Sequence, residues 1–74
     1  MAKTGSGKQV VKILCRHYGF YFVSQRGSHL KLRSKSDPKI STIVPMHREL
    51  SRGTLKGVLE LAKVDEREFI TYLK

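Results

Sequence analysis

The sequence predicts a small α+β domain in which helices cover one face of a three-stranded antiparallel sheet. Two observations predict it. Short segments rich in aromatic and β-branched residues alternate with turn residues in the middle of the chain, and segments with the apolar spacing of amphipathic helices flank them. The predicted order is helix, three strands, helix and a short last helix. A length of 74 residues allows one domain, residues 1–74, with a modest core.

The first helix is predicted from Ser6 to about Tyr18, after a frayed start over residues 1–5. Ser6 is a favourable N-cap, and Gln9 three residues later completes a capping box. Gly19 follows the last apolar position and is expected to end the helix in a left-handed conformation. The apolar stripe has i, i+3, i+4, i+7 spacing and consists of Val11, Leu14, Cys15 and Tyr18, widened by Val10 and Ile13.

A hairpin follows, with strands over residues 20–25 and 28–34. A three-residue loop with Gly27 in a left-handed conformation would set Gln25 opposite His29 and Phe22 opposite Leu32. That register is preferred, because a one-residue slip would exchange the core and solvent faces. It places Phe20, Phe22, Leu30 and Leu32 on one face, and Tyr21, Gln25, His29, Lys31 and Arg33 on the other.

The third strand is predicted over residues 40–44, which are dense in β-branched residues. A polar loop with the turn signal Asp37-Pro38 precedes it, and Pro45 is expected to end it. Three strands in this order leave one sheet face for solvent or a ligand.

Two helices are predicted to close the chain. Ser51 can cap a helix over about residues 52–63, in which Gly57 is expected to allow close packing. Asp65 can cap the short last helix, with Glu68 at the capping-box position.

The chain is strongly basic, with a formal net charge of +9. Such a balance favours a polyanionic partner, which could be a nucleic acid, an acidic protein or an anionic membrane surface, although it could also serve solubility alone. Lys8, Lys12 and Arg16 lie four residues apart as a basic ridge that is either solvated or in contact with a nucleic acid backbone. No membrane-spanning run or signal-peptide pattern is evident, so a cytoplasmic protein without a membrane partner is expected.

The polar face of the hairpin carries the residue types of a phosphodiester-cleaving site. An imidazole can transfer protons near neutral pH, and neighbouring cations can hold a phosphate. His29 is therefore either a proton-transfer group or a polar strand residue beside a turn. Arg26, Lys31 and Arg33 either bind phosphates or form a solvated strand face.

The remaining candidate residues give weaker signals. His17 is expected to interact with the dipole at the end of the first helix, whereas His47 could approach a substrate from the loop after the third strand. Cys15 is expected to be a small core residue. The histidines, the cysteine and the acidic residues lack metal-ligand spacing, so neither a metal nor another cofactor is expected.

Several short motifs, spread over nearly the whole chain, resemble the HicA (YcfA-like) toxin family of bacterial toxin–antitoxin systems. Their combination and spacing are specific, although no single motif is. The motifs are His17-Tyr18-Gly19-Phe20, Gln25-Arg26-Gly27-Ser28-His29, Val44-Pro45-Met46-His47, Glu49-Leu50, Gly53-Thr54-Leu55 and Asp65-Glu66-Arg67-Glu68-Phe69.

The resemblance implies an α-β-β-β-α fold like that of double-stranded-RNA-binding domains, and an endoribonuclease toxin that cleaves mRNA and arrests translation. It implies that the histidine after the Gly-Ser pair, His29, is catalytic, and Arg26, Ser28, Lys31 and Arg33 are then the expected phosphate-binding residues. It also implies a cognate HicB-like antitoxin, with the toxin a monomer when alone and part of a larger assembly when bound. A non-catalytic module that binds double-stranded RNA is the alternative. A third possibility is that the chain acts chiefly as a protein partner, whose basic face docks an acidic antitoxin that covers His29 and the cations. This possibility is compatible with the nuclease, because a covered site would silence the toxin.

Overall fold

The computed structural model describes residues 5–73, and it has the predicted α+β architecture. Residues 1–4, predicted as part of a frayed start, lie outside the described residues. The elements in chain order are α1 (Gly7–His17), β1 (Phe20–Arg26), β2 (His29–Ser34), β3 (Ser41–Pro45), α2 (Arg52–Ala62) and α3 (Glu66–Ile70). The three strands form one antiparallel sheet in the order β1-β2-β3.

Each helix begins at its predicted N-cap. The Ser6 hydroxyl accepts a hydrogen bond from the Gln9 N–H at 3.1 Å, and the Gln9 side chain returns one to the Ser6 N–H at 3.0 Å. Ser51 caps α2, and Asp65 caps α3 by accepting from the Glu68 N–H at 3.1 Å. These side chains satisfy amide groups that the first helical turn leaves without partners.

The core lies between the helices and one face of the sheet. In β2 the side chains alternate, with Leu30 and Leu32 buried and with His29 exposed on the opposite face. Thr42 on β3 is buried under α2, where its hydroxyl donates a hydrogen bond to the Val58 carbonyl at 2.8 Å. The most buried apolar side chains are Val10, Leu14, Leu32, Val44, Leu55, Leu59 and Phe69. The face of the sheet that carries His29, which we call the open face, is not covered by these helices.

The hairpin register was predicted correctly in its first half and wrongly near the turn. Phe22 pairs with Leu32 as expected, and Gly27 has a positive φ of 57°. However, the loop has two residues, so Arg26 rather than Gln25 lies opposite His29. A β-bulge between Phe22 and Ser24 inserts one extra residue into β1. The register therefore shifts by one residue between the half of the hairpin that contains Phe22 and the half beside the turn.

Three further expectations are wrong. Phe22 shares a face with Leu32, yet it is 56% exposed, and Phe20 is the one residue of β1 in the buried core. Gly5 is not frayed, since it is buried and its carbonyl accepts a hydrogen bond from the Leu50 N–H at 3.0 Å. Gly57 is not a point of close packing, because a Cβ there would meet nothing within 4 Å.

Candidate functional site

A hollow lies on the open face beside the hairpin turn and contains three of the predicted site residues, Arg26, His29 and Lys31. Its volume is about 630 Å³. All three strands contribute side chains, because Ile43 of β3 pairs with Lys31 of β2. The lining residues are Ser24, Gln25, Arg26, Gly27, His29, Lys31 and Ile43.

The sheet register makes the imidazole and a guanidinium neighbours. Arg26 is paired with His29 across the two strands, and directly opposed side chains have Cβ atoms roughly 5 Å apart. Lys31 is two residues further along β2 and therefore on the same face as His29. The result is one exposed imidazole with a cation on each of two sides.

Two predicted phosphate-binding residues lie outside this hollow. Ser28 is exposed in the turn, and its carbonyl accepts a hydrogen bond from the Met46 N–H at 2.6 Å. Arg33 lies further along β2, where it pairs with Tyr21 on one side and Ser41 on the other. Its Nε is buried and has no hydrogen-bond partner among the described residues. The structure thus brings together His29, Arg26 and Lys31 and leaves Ser28 and Arg33 at the margins.

The positive charge of the hollow is not balanced by a carboxylate. None of its lining residues is acidic. Within residues 5–73 the one ion pair joins Arg52 of α2 to Glu66 of α3 at 4.0 Å and involves no residue of the hairpin. The cations on the open face are therefore available to an anionic ligand.

Sequence reasoning missed two lining residues, Ser24 and Ile43. Ser24 lies on the open face only because of the β-bulge, and the sequence pattern does not predict that bulge. Ile43 is 39% exposed, and the rule that successive strand side chains point to opposite faces could have placed it opposite Val44. Gln25 was predicted to lie beside His29, but its Nε2 donates to the Gly27 carbonyl at 3.0 Å and so braces the turn.

The other two histidines lie elsewhere. The His17 ring stacks on the Tyr72 ring with centroids 3.9 Å apart. His47 lines a separate hollow of about 310 Å³ together with Lys8 and Arg48, and it is not among the residues around His29.

Cys15 is half-buried against the core, and burial raises the pKa of its thiol although Lys35 acts in the opposite direction. A raised pKa disfavours the reactive thiolate, as expected for a core residue. No cluster of three or more histidine, cysteine or acidic residues in the described part of the chain could hold a metal ion. No helix within residues 5–73 has the length and apolar character needed to cross a membrane.

The fold and the open face define a class: a small basic α+β protein with an exposed imidazole between uncompensated cations. A family model described as the HicA toxin of bacterial toxin–antitoxin matches residues 7–64, and the chain belongs to this family. It is therefore the toxin of a toxin–antitoxin pair, with an antitoxin as its partner. A search of curated proteins finds no significant match.

Proposed function

We propose that this toxin is an endoribonuclease that cleaves mRNA at the hairpin hollow without a metal ion, and that His29 transfers protons in the reaction. The observation that carries the proposal is the pairing of an exposed His29 with Arg26 across the strands, with Lys31 on the same face. Imidazole and cations are the groups that phosphodiester cleavage requires when the substrate supplies its own nucleophile.

RNA supplies that nucleophile as the ribose 2′-OH. The 2′-oxygen attacks the adjacent phosphorus, the bond from phosphorus to the 5′-oxygen breaks, and a 2′,3′-cyclic phosphate and a 5′-OH are left. One proton leaves the 2′-OH and one is delivered to the departing 5′-oxygen. The His29 imidazole takes part in one of these transfers, and water or another group completes the other.

The cations stabilise the charge that develops on the phosphorane. Arg26 can donate two parallel hydrogen bonds to phosphate oxygens, whereas Lys31 acts as a point charge. Ser28 and Arg33 do not line the hollow, and their proposed role is to contact phosphates next to the cleaved bond on the same strand. The open face thus binds several consecutive nucleotides, with the cleaved bond beside His29.

The same face is the proposed target of the antitoxin. A HicB-like antitoxin with an acidic surface would pair with the uncompensated cations and cover His29, which silences the toxin. This arrangement makes RNA and the antitoxin competitors for one surface.

The test is cleavage of a single-stranded RNA in the presence of a chelator by the parent chain and by His29→Ala. The parent is expected to produce fragments that end in a 2′,3′-cyclic phosphate, and His29→Ala to be slower by about 100-fold or more. A 2′-deoxy substitution at the cleaved position should abolish cutting, because it removes the nucleophile.

His47→Ala is the matched control, since it removes an exposed imidazole that lies outside the hollow. Its cleavage rate is expected to stay within about threefold of the parent rate. Tight RNA binding with no cleavage by either the parent or His29→Ala would favour the non-catalytic alternative. Products with a 3′-OH end, or cleavage that survives loss of the imidazole, would contradict the proposed mechanism.

A further inference from the structure

We propose that the chain has a second RNA-binding surface, on which a single strand stacks a base beside Tyr72 and places phosphates on Lys12 and Arg16. We call it the α1 surface. It is a hollow of about 250 Å³ lined by Gln9, Lys12, Ile13, Arg16, His17 and Tyr72. It shares no lining residue with the hairpin hollow. The inference rests on the proposed function only in that the bound strand is taken to be the substrate.

The first observation is an exposed pair of parallel rings. His17 and Tyr72 stack with an interplanar angle of 18°, and both side chains are exposed. The Tyr18 ring lies nearly perpendicular to the Tyr72 ring, with centroids 6.0 Å apart, and packs beside it. A fixed aromatic platform at the surface allows a nucleobase to extend the stack, and such stacking tolerates any base.

The second observation is a row of like charges along α1 without acidic partners. Lys8 lies in the first turn of α1, at the positive end of the helix dipole, and that turn contains no acidic residue. Lys8, Lys12 and Arg16 follow one another at i+4, where like charges repel. None of them forms an ion pair with another described residue. Of the three, only Arg16 lies in the last turn, where the helix dipole favours a cation, so the row as a whole is best explained by an external anion.

The ring pair and the row of cations together indicate the kind of ligand. Successive cations lie about 6 Å apart along the helix axis and can follow a flexible polyanion. An acidic protein segment would use the charges but would gain little from a ring platform. A single nucleic acid strand uses both, because it presents phosphates and unpaired bases together.

The experiment measures binding in the His29→Ala background, so that the probe stays intact whether or not the parent cleaves RNA. The probe is a fluorescein-labelled oligouridylate about 12 nucleotides long, followed by fluorescence anisotropy at several salt concentrations. Replacing Lys12 and Arg16 together by alanine should lower the slope of log affinity against log salt by about 1.4, or about 0.7 for each lost phosphate contact. Lys39→Ala with Lys56→Ala removes two exposed cations from other parts of the chain and should leave the slope unchanged.

Tyr72→Leu separates stacking from charge, because it removes the ring and keeps an apolar side chain. It should weaken oligouridylate binding at least about fivefold and leave the affinity for inorganic polyphosphate, which has charge but no bases, unchanged. His17→Leu should do the same from the other half of the ring pair. Circular dichroism and thermal unfolding establish that each variant is folded.

Three results would overturn the inference. The control pair could lower the salt slope as much as the Lys12 and Arg16 pair, which would indicate a general charge effect. Both ring variants could weaken RNA and polyphosphate equally, which would indicate a structural change. The variants could bind RNA normally but fail to bind the antitoxin, which would assign the α1 surface to a protein partner. The binding measurement does not require cleavage. A failed nuclease assay would therefore not contradict RNA binding at the α1 surface.

Discussion

Replacing Gly7 by alanine is expected to destabilise the protein, although alanine is the better helix former. Gly7 is the first residue of α1, and it is buried against the chain that leaves β3. A Cβ at this position would clash with the Pro45 carbonyl oxygen and lie 2.8 Å from the Met46 Cα. Both are backbone atoms, so no side-chain rotation can relieve the contact.

The expected magnitude follows from three effects. Forcing a methyl group into a packed site costs about 1–3 kcal/mol. Moving the helix start also weakens the hydrogen bond that the Gly7 N–H donates to the His47 carbonyl at 2.9 Å, which is worth about 1 kcal/mol. The gain in helix propensity is at most about 1 kcal/mol. The free energy of unfolding should therefore fall by about 2 kcal/mol, and the midpoint of thermal unfolding by roughly 10 °C.

The assay is guanidinium unfolding followed by circular dichroism, with Gly57→Ala as the matched control. Gly57 is in the middle of α2, and a Cβ there meets nothing within 4 Å, so alanine should raise the free energy of unfolding by about 0.5–1 kcal/mol. The same substitution should thus have opposite signs at the two sites. A Gly7→Ala variant as stable as the parent would refute the argument from close backbone approach.

Two further predictions concern one buried and one half-buried polar side chain. Thr42→Val should lower the free energy of unfolding in urea by about 1 kcal/mol, because it removes the hydroxyl that bonds the Val58 carbonyl; an unchanged midpoint would contradict this. Burial first, and then the hydrogen bond to Glu68, raise the pKa of Tyr18 from 10.0 to about 12. The folded state therefore favours the neutral phenol, so its contribution to stability is present below pH 10.0 and is lost between pH 10.0 and about 12. Tyr18→Phe should lose less free energy of unfolding than the parent over that pH interval. If the free energy of unfolding falls equally with pH in both proteins, the Tyr18 phenol is not the cause of the loss.

The starts of the helices could be predicted because their causes are local. The capping side chains of Ser6, Ser51 and Asp65 each bond an amide group three residues away, so the sequence itself contains both partners. The alternation along β2 is equally local, and it correctly separated Leu30 and Leu32 from the face that carries His29.

Features that depend on contacts distant in sequence were not predictable in the same way. Gly7 and Gly57 are both glycines in helices, and only the position of the β3 exit relative to α1 makes the first a point of close approach. The stacking of His17 on Tyr72 likewise joins the end of α1 to the segment after α3. His17 was expected to interact with the dipole of its own helix, and the sequence does not show that Tyr72 packs beside it.

The two halves of the hairpin have different registers. No single register could therefore predict both the core pairing of Phe22 and the pairing of His29 in the site. A continuous register that pairs Phe22 with Leu32 would pair His29 with Gln25, whereas one that pairs His29 with Arg26 would place Phe22 opposite Arg33. The extra residue at the bulge lets both favourable pairings exist in one hairpin, with the first supporting the core and the second setting a guanidinium beside the imidazole. The sequence pattern predicts the pairing of Phe22 with Leu32, because that register places apolar residues on the core face. The pairing of Arg26 with His29 at the turn follows a different register, which burial does not select. The chemistry proposed for the open face depends on that pairing.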